Sequence, residues 1–380
     1  MNDHRELIEQ VHASGIRLVL AITGGGSRAI PTLLEVPGGS TSILEAIVPY
    51  SAAALEHWFG GKLDSYCSER TARAMAMAAF EHARSLALGD PRSVRGIGAT
   101  SSLVSTRPKR GAHRIHVAWQ SADTTAVASC ELAKGERTRE EEESIATRLI
   151  LATVAEACDV NPSSLINPSI EASLLRRKQQ APPEWTDLLL GNRTSLITPS
   201  QPAGLSRRNN PANSHAILFP GAFNPIHEGH ARMADIAAQR FGRPVTFELS
   251  ITNVDKPPLD FIEIADRLKQ LTGRQVLLTR AATFVEKARI APGCVFVVGA
   301  DTLDRIADPR YYEGKTNRRD GAIAELADRG CRFLVFGRAR DDQFLTGAAL
   351  ALPPALGALC ENISELQFRA DVSSTELRTN

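Results

Sequence analysis

A short apolar run, Ala216–Phe219, leads straight into Pro220-Gly221-Ala222-Phe223-Asn224-Pro225-Ile226-His227-Glu228-Gly229-His230, and helix-forming residues continue to Phe241. Strand, tight turn and helix in that order leave few folds open. The pattern then repeats. Strands are expected at Val245–Ile251, Gln275–Thr279, Val295–Val298 and Phe333–Phe336, with helices at Ile262–Leu271 and Thr283–Ile290 among them. Such alternation predicts βαβ units and a largely parallel, Rossmann-like α/β sheet.

In an open parallel sheet, ligands bind outside the carboxyl ends of the strands. The turn at Gly221 lies at such an end, and the helix after it points free N–H groups and a positive dipole end at the same place. His227 and His230 are three residues apart, so they project from one side of the first helical turn. Gly229 between them leaves room for a base or ribose to approach. Transfer of a nucleotidyl group needs reactants held in line and phosphoryl charge neutralised, which imidazole donors and a helix N-terminus can do. His227 and His230 are therefore the candidate catalytic pair, with Gly221, Ala222, Phe223, Asn224 and Gly229 as the nucleotide-binding turn. Far along the chain, Ser373-Ser374-Thr375-Glu376 reads as a capped helix start, with Arg378 one turn further on. Its hydroxyls and N–H groups could cradle the outer phosphates of a nucleoside triphosphate. Lys256 and Arg280, each following an expected strand, are weaker candidates for contact with the second substrate.

On these residues the second block, 213–380, resembles the HxGH nucleotidyltransferase superfamily, which includes nicotinamide mononucleotide adenylyltransferases, phosphopantetheine adenylyltransferase and the cytidylyltransferases. Between the two motifs, Val298-Gly299-Ala300-Asp301-Thr302-Leu303 looks like the GxD segment of the first of these. The resemblance implies that His227 and His230 meet the α- and β-phosphates. It also implies that Ser373, Ser374, Thr375 and Arg378 hold the triphosphate, and that Gly299 and Asp301 lie near the nucleotide or acceptor. Asn224 leans towards the nicotinamide mononucleotide group. The expected reaction is transfer of a nucleoside monophosphate, AMP from ATP before CMP from CTP, to a small phosphorylated acceptor, with Mg²⁺ accompanying the NTP and no metal held by protein side chains. The alternatives are a cytidylyltransferase for another phosphomonoester and a non-catalytic nucleotide-binding protein.

The first block, 1–165, opens with an expected helix at Arg5–Ser14, a buried strand at Ile16–Ile22 and the turn Thr23-Gly24-Gly25-Gly26-Ser27. Helices are expected at Glu69–Ala87 and Arg139–Cys158, and a strand pair at Arg114–Trp119 and Thr125–Leu132. With Val36-Pro37-Gly38-Gly39-Ser40, Val48-Pro49-Tyr50-Ser51 and Gly96-Ile97-Gly98-Ala99, this block resembles the CinA C-terminal domain family, whose members include nicotinamide mononucleotide deamidases. It departs from that pattern at Ile22, Leu55 and Ala99–Ser102. The implied role is ligand binding or dimer stabilisation without catalysis, so a homo-oligomer would form through this block. A Pro-rich stretch, 166–212, is expected as a connector. The chain of 380 residues carries a net charge of +1, which gives no basic footprint for nucleic acid. No apolar stretch is long enough to span a bilayer and the N-terminus carries no signal region, so the cytoplasm is the expected location. Six scattered cysteines form no CxxC pair and are expected to be reduced and mostly buried.

Overall fold

A computed structural model describes residues 4–87, 89–106, 110–162, 165–198, 216–254, 256–340, 343–345 and 350–369. The chain divides into two units: Met1–Leu190 with Asp255–Ala265, and Gly191–Val254 with Asp266–Asn380.

In the first unit the apolar run forms β1 (Arg17–Ile22), buried along almost all its length. It pairs in parallel with β2 (Ile43–Ile47) and β3 (Val94–Ser102). The sheet continues through antiparallel β4 (His113–Gln120), β5 (Thr124–Leu132) and β6 (Leu175–Gln180), in the order β2-β1-β3-β4-β5-β6. Helices Arg5–Ala13 and Arg139–Ala157 pack one face around Ile8, Leu20, Ile97, Val117 and Ile150. Helix Glu69–Leu86 covers the other face, placing Ala72 and Ala76 against Ala118.

Gly96-Ile97-Gly98 lies within β3. Helix Glu69–Leu86 comes so close that a Cβ on Gly96 would lie 2.1 Å from the Ala76 carbonyl oxygen, and one on Gly98 2.3 Å from that of Ala72. Glycine marks close backbone approach here, not chain reversal. The acidic start of helix Arg139–Ala157 also does more than complement the dipole. Thr138 and Glu141 form a capping box, while Glu142 is fully buried, accepts the Val104 N–H (2.7 Å) and lies 2.7 Å from His113 Nδ1.

The segment Asp255–Ala265 is built into this unit. Arg73, 3% exposed, donates to both carboxylate oxygens of Asp260 at 2.5 and 2.6 Å. The Phe261 N–H donates to Thr125 Oγ1 (3.0 Å), and Ile262 joins the Ala72–Ala118 cluster.

The second unit holds β7 (Ser195–Thr198), β8 (Ile217–Pro220), β9 (Val245–Ser250), β10 (Val276–Thr279), β11 (Val295–Gly299), β12 (Arg332–Phe336) and, past a small hairpin of β13 (Arg338–Arg340) and β14 (Gln343–Leu345), β15 (Cys360–Ile363). The sheet order is β15-β12-β11-β8-β9-β10-β7, parallel except for β7 against β10. After edge strand β7, the chain enters the centre with β8, moves outwards through β9 and β10, then returns to β11 on the other side of β8. That reversal is a topological switch point, where open parallel sheets bind ligands in a crevice outside the carboxyl ends of the strands, here β8 and β11. The stretch read as a connector carries helices Pro168–Glu171 and Pro183–Leu190 and strands β6 and β7 among its described residues.

Phe247 and Glu248 alternate across β9. Phe247 packs on Phe219, whereas Glu248, 1% exposed, receives Lys287 Nζ (2.9 Å) and the Thr279 hydroxyl. Lys287→Met would leave a buried carboxylate without its cation. It is expected to lower stability by about 3–5 kcal/mol in denaturant unfolding.

Candidate functional site

The switch point is where the sequence motif sits. β8 ends at Pro220, and helix Glu228–Phe241 starts with His227 as its N-cap. Between them the Gly221 N–H donates to the Glu248 carbonyl (3.1 Å), which continues the β8–β9 ladder into the turn. Phe223 folds back beneath it with φ +46 and 1% exposure. Left-handed backbone at a phenylalanine costs about 1–3 kcal/mol and persists only when packing enforces it. Here its ring meets Phe219 at 5.4 Å, Phe247 at 5.2 Å and His230 at 5.4 Å. Gly221 is required for this: a Cβ there would lie 2.6 Å from the Phe223 ring. The turn is further tied by the Ile226 N–H, which donates to Gln270 Oε1 (3.1 Å).

The two imidazoles are in contact, with ring centroids 3.8 Å apart and planes tilted by 32°. The His227 N–H donates to His230 Nδ1 at 3.2 Å. A nitrogen that accepts carries no proton, so the His230 proton is on Nε2 and that N–H is the donor left for a ligand. His227 Nδ1 is buried with no partner among the described residues. Burial, and then the neighbouring His227, pushes the His230 pKa down to about 4, and burial lowers that of His227. Both rings are therefore neutral at pH 7 and act as N–H donors. Since the folded pKa lies below the unfolded value near 6.5, the unfolded chain binds more protons between the two. Stability thus falls as pH drops through that window. In a histidine NMR titration, the His230 midpoint is expected near pH 4 in the free protein, moving upwards when ATP is added, because phosphate charge favours the imidazolium. An unmoved midpoint would mean that no phosphate comes near.

On the other side of the switch point, Gly299 ends β11 and is the N-cap of helix Ala300–Ala307. No atom lies within 4 Å of where its Cβ would be, so the backbone beside the crevice is open. Asp301 is exposed in the first turn of that helix. The pairing of β11 with β8 through Val295↔Ile217 and Phe296↔Leu218 fixes Gly299–Asp301 beside the histidine turn. Ala222 is exposed at the turn, Asn224 half-buried and Gly229 buried in the first helical turn. Ser373, Ser374, Thr375 and Arg378 lie outside the described residues.

The two weaker candidates have the following local surroundings. Arg280 immediately follows β10, its guanidinium packs over Gly191, whose Cβ would lie 2.1 Å from Nη1, and its backbone N–H donates to the Thr194 carbonyl (2.9 Å). Lys256 is exposed and belongs to the segment built into the first unit. In the first unit, the Tyr50 ring covers Gly24, where a Cβ would lie 2.5 Å from it, and the Thr23 hydroxyl donates to Thr100 Oγ1 (3.3 Å).

Sequence reasoning missed Arg232. Two residues after His230, it donates from Nη1 to the Arg369 carbonyl (3.1 Å) and lies 5.4 Å from the Phe368 ring centroid. Phe368 is itself fixed on Phe336, 5.0 Å away at the end of β12. The available signal was an arginine near the positive end of a helix dipole, where a cation needs an electron-rich partner.

A parallel sheet whose order reverses at β8 and β11, with paired imidazoles at a helix N-terminus in the reversal, is a nucleotidyltransferase unit. Residues 218–380 match the family described as cytidylyltransferase-like. A Schizosaccharomyces pombe (strain 972 / ATCC 24843) protein provisionally named as a nicotinamide mononucleotide adenylyltransferase is 30% identical over 177 residues, covering 43% of this chain and 69% of the relative. The chain belongs to the cytidylyltransferase-like family. Over the N-terminal region, a competence-damaged protein (CinA) superfamily structure from Escherichia coli is similar at 19% identity and TM-score 0.34, covering 40% of this chain and 87% of that one. A competence/damage inducible protein from Agrobacterium tumefaciens is similar at 20% identity and TM-score 0.32, covering 42% and 93%. Among the described residues, no helix is long and apolar enough to cross a membrane.

Proposed function

We propose that the second unit transfers AMP from the magnesium salt of ATP to the phosphate of nicotinamide mononucleotide, forming NAD and releasing pyrophosphate. The observation that carries this reading is the β8–β11 switch point, which sets two neutral imidazole donors beside an open strand end. The name of the fungal relative and the Asn224 form of the motif favour this acceptor.

An acceptor phosphate oxygen attacks the α-phosphorus of ATP while the bond to the bridging oxygen breaks, and pyrophosphate leaves with the electron pair. No side chain needs to bond covalently. The His230 Nε2–H and the ring N–H of His227 steady the charge growing on the phosphate oxygens, and the helix N-terminus adds its dipole. Mg²⁺ prefers oxygen ligands and keeps its waters, whereas this turn offers neutral imidazoles, so the ion arrives on the triphosphate as part of the substrate.

The serine-rich tail completes the reading. Arg369 is held 3.1 Å from Arg232, and Ser373 is four residues further on. Four extended residues reach up to about 14 Å, which is compatible with hydroxyls arriving at the triphosphate. Arg232→Ala is accordingly expected to raise the KM for ATP roughly five- to tenfold, about 1 kcal/mol, with a smaller change in kcat. An unchanged KM would remove Arg232 from this role.

The test is to incubate the full chain with each NTP, Mg²⁺ and a panel of phosphomonoesters, measuring pyrophosphate and the joined product. ATP with nicotinamide mononucleotide is expected to give NAD. A preference for CTP and another acceptor would replace the reading with cytidylyl transfer. Pyrophosphate release with no pair would sink the transferase reading.

A further inference from the structure

Two of the six cysteines meet in the second unit, away from the crevice. Cys294 immediately precedes β11 and Cys331 immediately precedes β12. These strands pair in parallel from Val295↔Arg332, so the cysteines are the next matched pair, at the amino ends of the strands, and share one face. Their Sγ atoms lie 3.9 Å apart in a thiol–thiol contact. Neighbouring strands are about 4.8 Å apart, inside the Cα separation of about 4.4–6.8 Å that a disulfide spans. The side chains are 0% and 1% exposed and lie in the apolar cluster with Phe296, Phe333 and Leu326. Each cysteine follows a glycine at positive φ, Gly293 (72) and Gly330 (69), and a Cβ on Gly330 would meet only the Gly293 Cα, at 3.8 Å. Gly330 is exposed.

We propose that Cys294 and Cys331 form an oxidative-modification site, closing to a reversible disulfide when a hydroperoxide reaches them. The Cys331 thiolate attacks the terminal hydroxyl oxygen of the peroxide, the O–O bond breaks, and the rest leaves as alkoxide, or as hydroxide from hydrogen peroxide, giving a sulfenic acid on Cys331. The sulfur of Cys294 then attacks that sulfur. The S–S bond forms, the S–O bond breaks, and the departing hydroxide takes the Cys294 proton as water. Two thiols lose two electrons and the peroxide gains them. The hydrogen bond from Cys294, with backbone N–H groups of Gly293 and Cys294, lowers Cys331 to about 7, which supplies thiolate at neutral pH. Burial, and then Cys331 itself, pushes Cys294 up, which suits the resolving thiol. Elsewhere, burial pushes Cys158 and Cys360 up to about 11, leaving them as unreactive thiols.

The test treats the native full-length chain with hydrogen peroxide, blocks remaining thiols by alkylation, and maps the peptides by mass spectrometry. Expected is a Cys294–Cys331 linked pair, lighter by two hydrogens, that disappears after dithiothreitol and does not form in Cys331→Ser. The wild-type map stands alone should that variant misfold. Peroxide treatment that leaves Cys294 and Cys331 alkylated, or joins either to a different cysteine, would overturn the proposal.

Discussion

His230→Ala is expected to lower kcat on the order of 10²-fold or more, with the circular dichroism spectrum unchanged. The reasoning begins with the tautomer. His230 Nδ1 accepts the His227 N–H (3.2 Å), so the ring offers Nε2–H as its outward donor. A preorganised donor aimed at developing phosphate charge is worth a few kcal/mol in the transition state and much less in the ground state. The loss should therefore fall on kcat, with the KM for ATP changing little. His227→Ala should act similarly, and the double variant should lose less than the product of the two, because contacting rings 3.8 Å apart act as a unit. Turnover within a few-fold of wild type in His230→Ala would remove the pair from the chemistry.

The second large effect concerns folding of the first unit. Gly96→Ala would put a methyl carbon 2.1 Å from the Ala76 carbonyl oxygen and the Phe80 nitrogen. Both are backbone atoms of one helix, so no rotamer change relieves the clash, and helix Glu69–Leu86 must move off β3. That separation would open the packing of Ala72 and Ala76 against Ala118 and Val127. A loss of about 3 kcal/mol or more is expected, seen in denaturant unfolding as an earlier transition. A variant as stable as wild type would mean that helix and strand do not approach this closely.

These two sites differ in how far the sequence disclosed them. The histidine turn was legible because its signal is local: an apolar strand, glycine and proline, then two histidines at helical spacing. The alternating pattern likewise placed β8 to β12 to within a residue or two. Gly96 and Gly98 entered the sequence reading only as part of the family-like string Gly96-Ile97-Gly98-Ala99. Their actual reason is a helix more than ten residues upstream, which no local pattern reveals. Strand β7 was lost in a Pro-rich stretch, since its four residues gain their place only by pairing with β10. Arg280 shows the same limit at the site. Its position at a strand end suggested a substrate contact, while the space over Gly191 determines where its guanidinium goes. Arg232 went unread because its partner, the Arg369 carbonyl, is 137 positions away.

The nucleotidyl-transfer account rests on where the triphosphate sits, and a crystal of the full chain soaked with a non-hydrolysable ATP analogue and Mg²⁺ measures that directly. The predicted result is phosphate oxygens within hydrogen-bonding distance of His230 Nε2 and the His227 ring, in the crevice between the ends of β8 and β11. An analogue bound elsewhere, with those imidazoles facing only solvent, would contradict it.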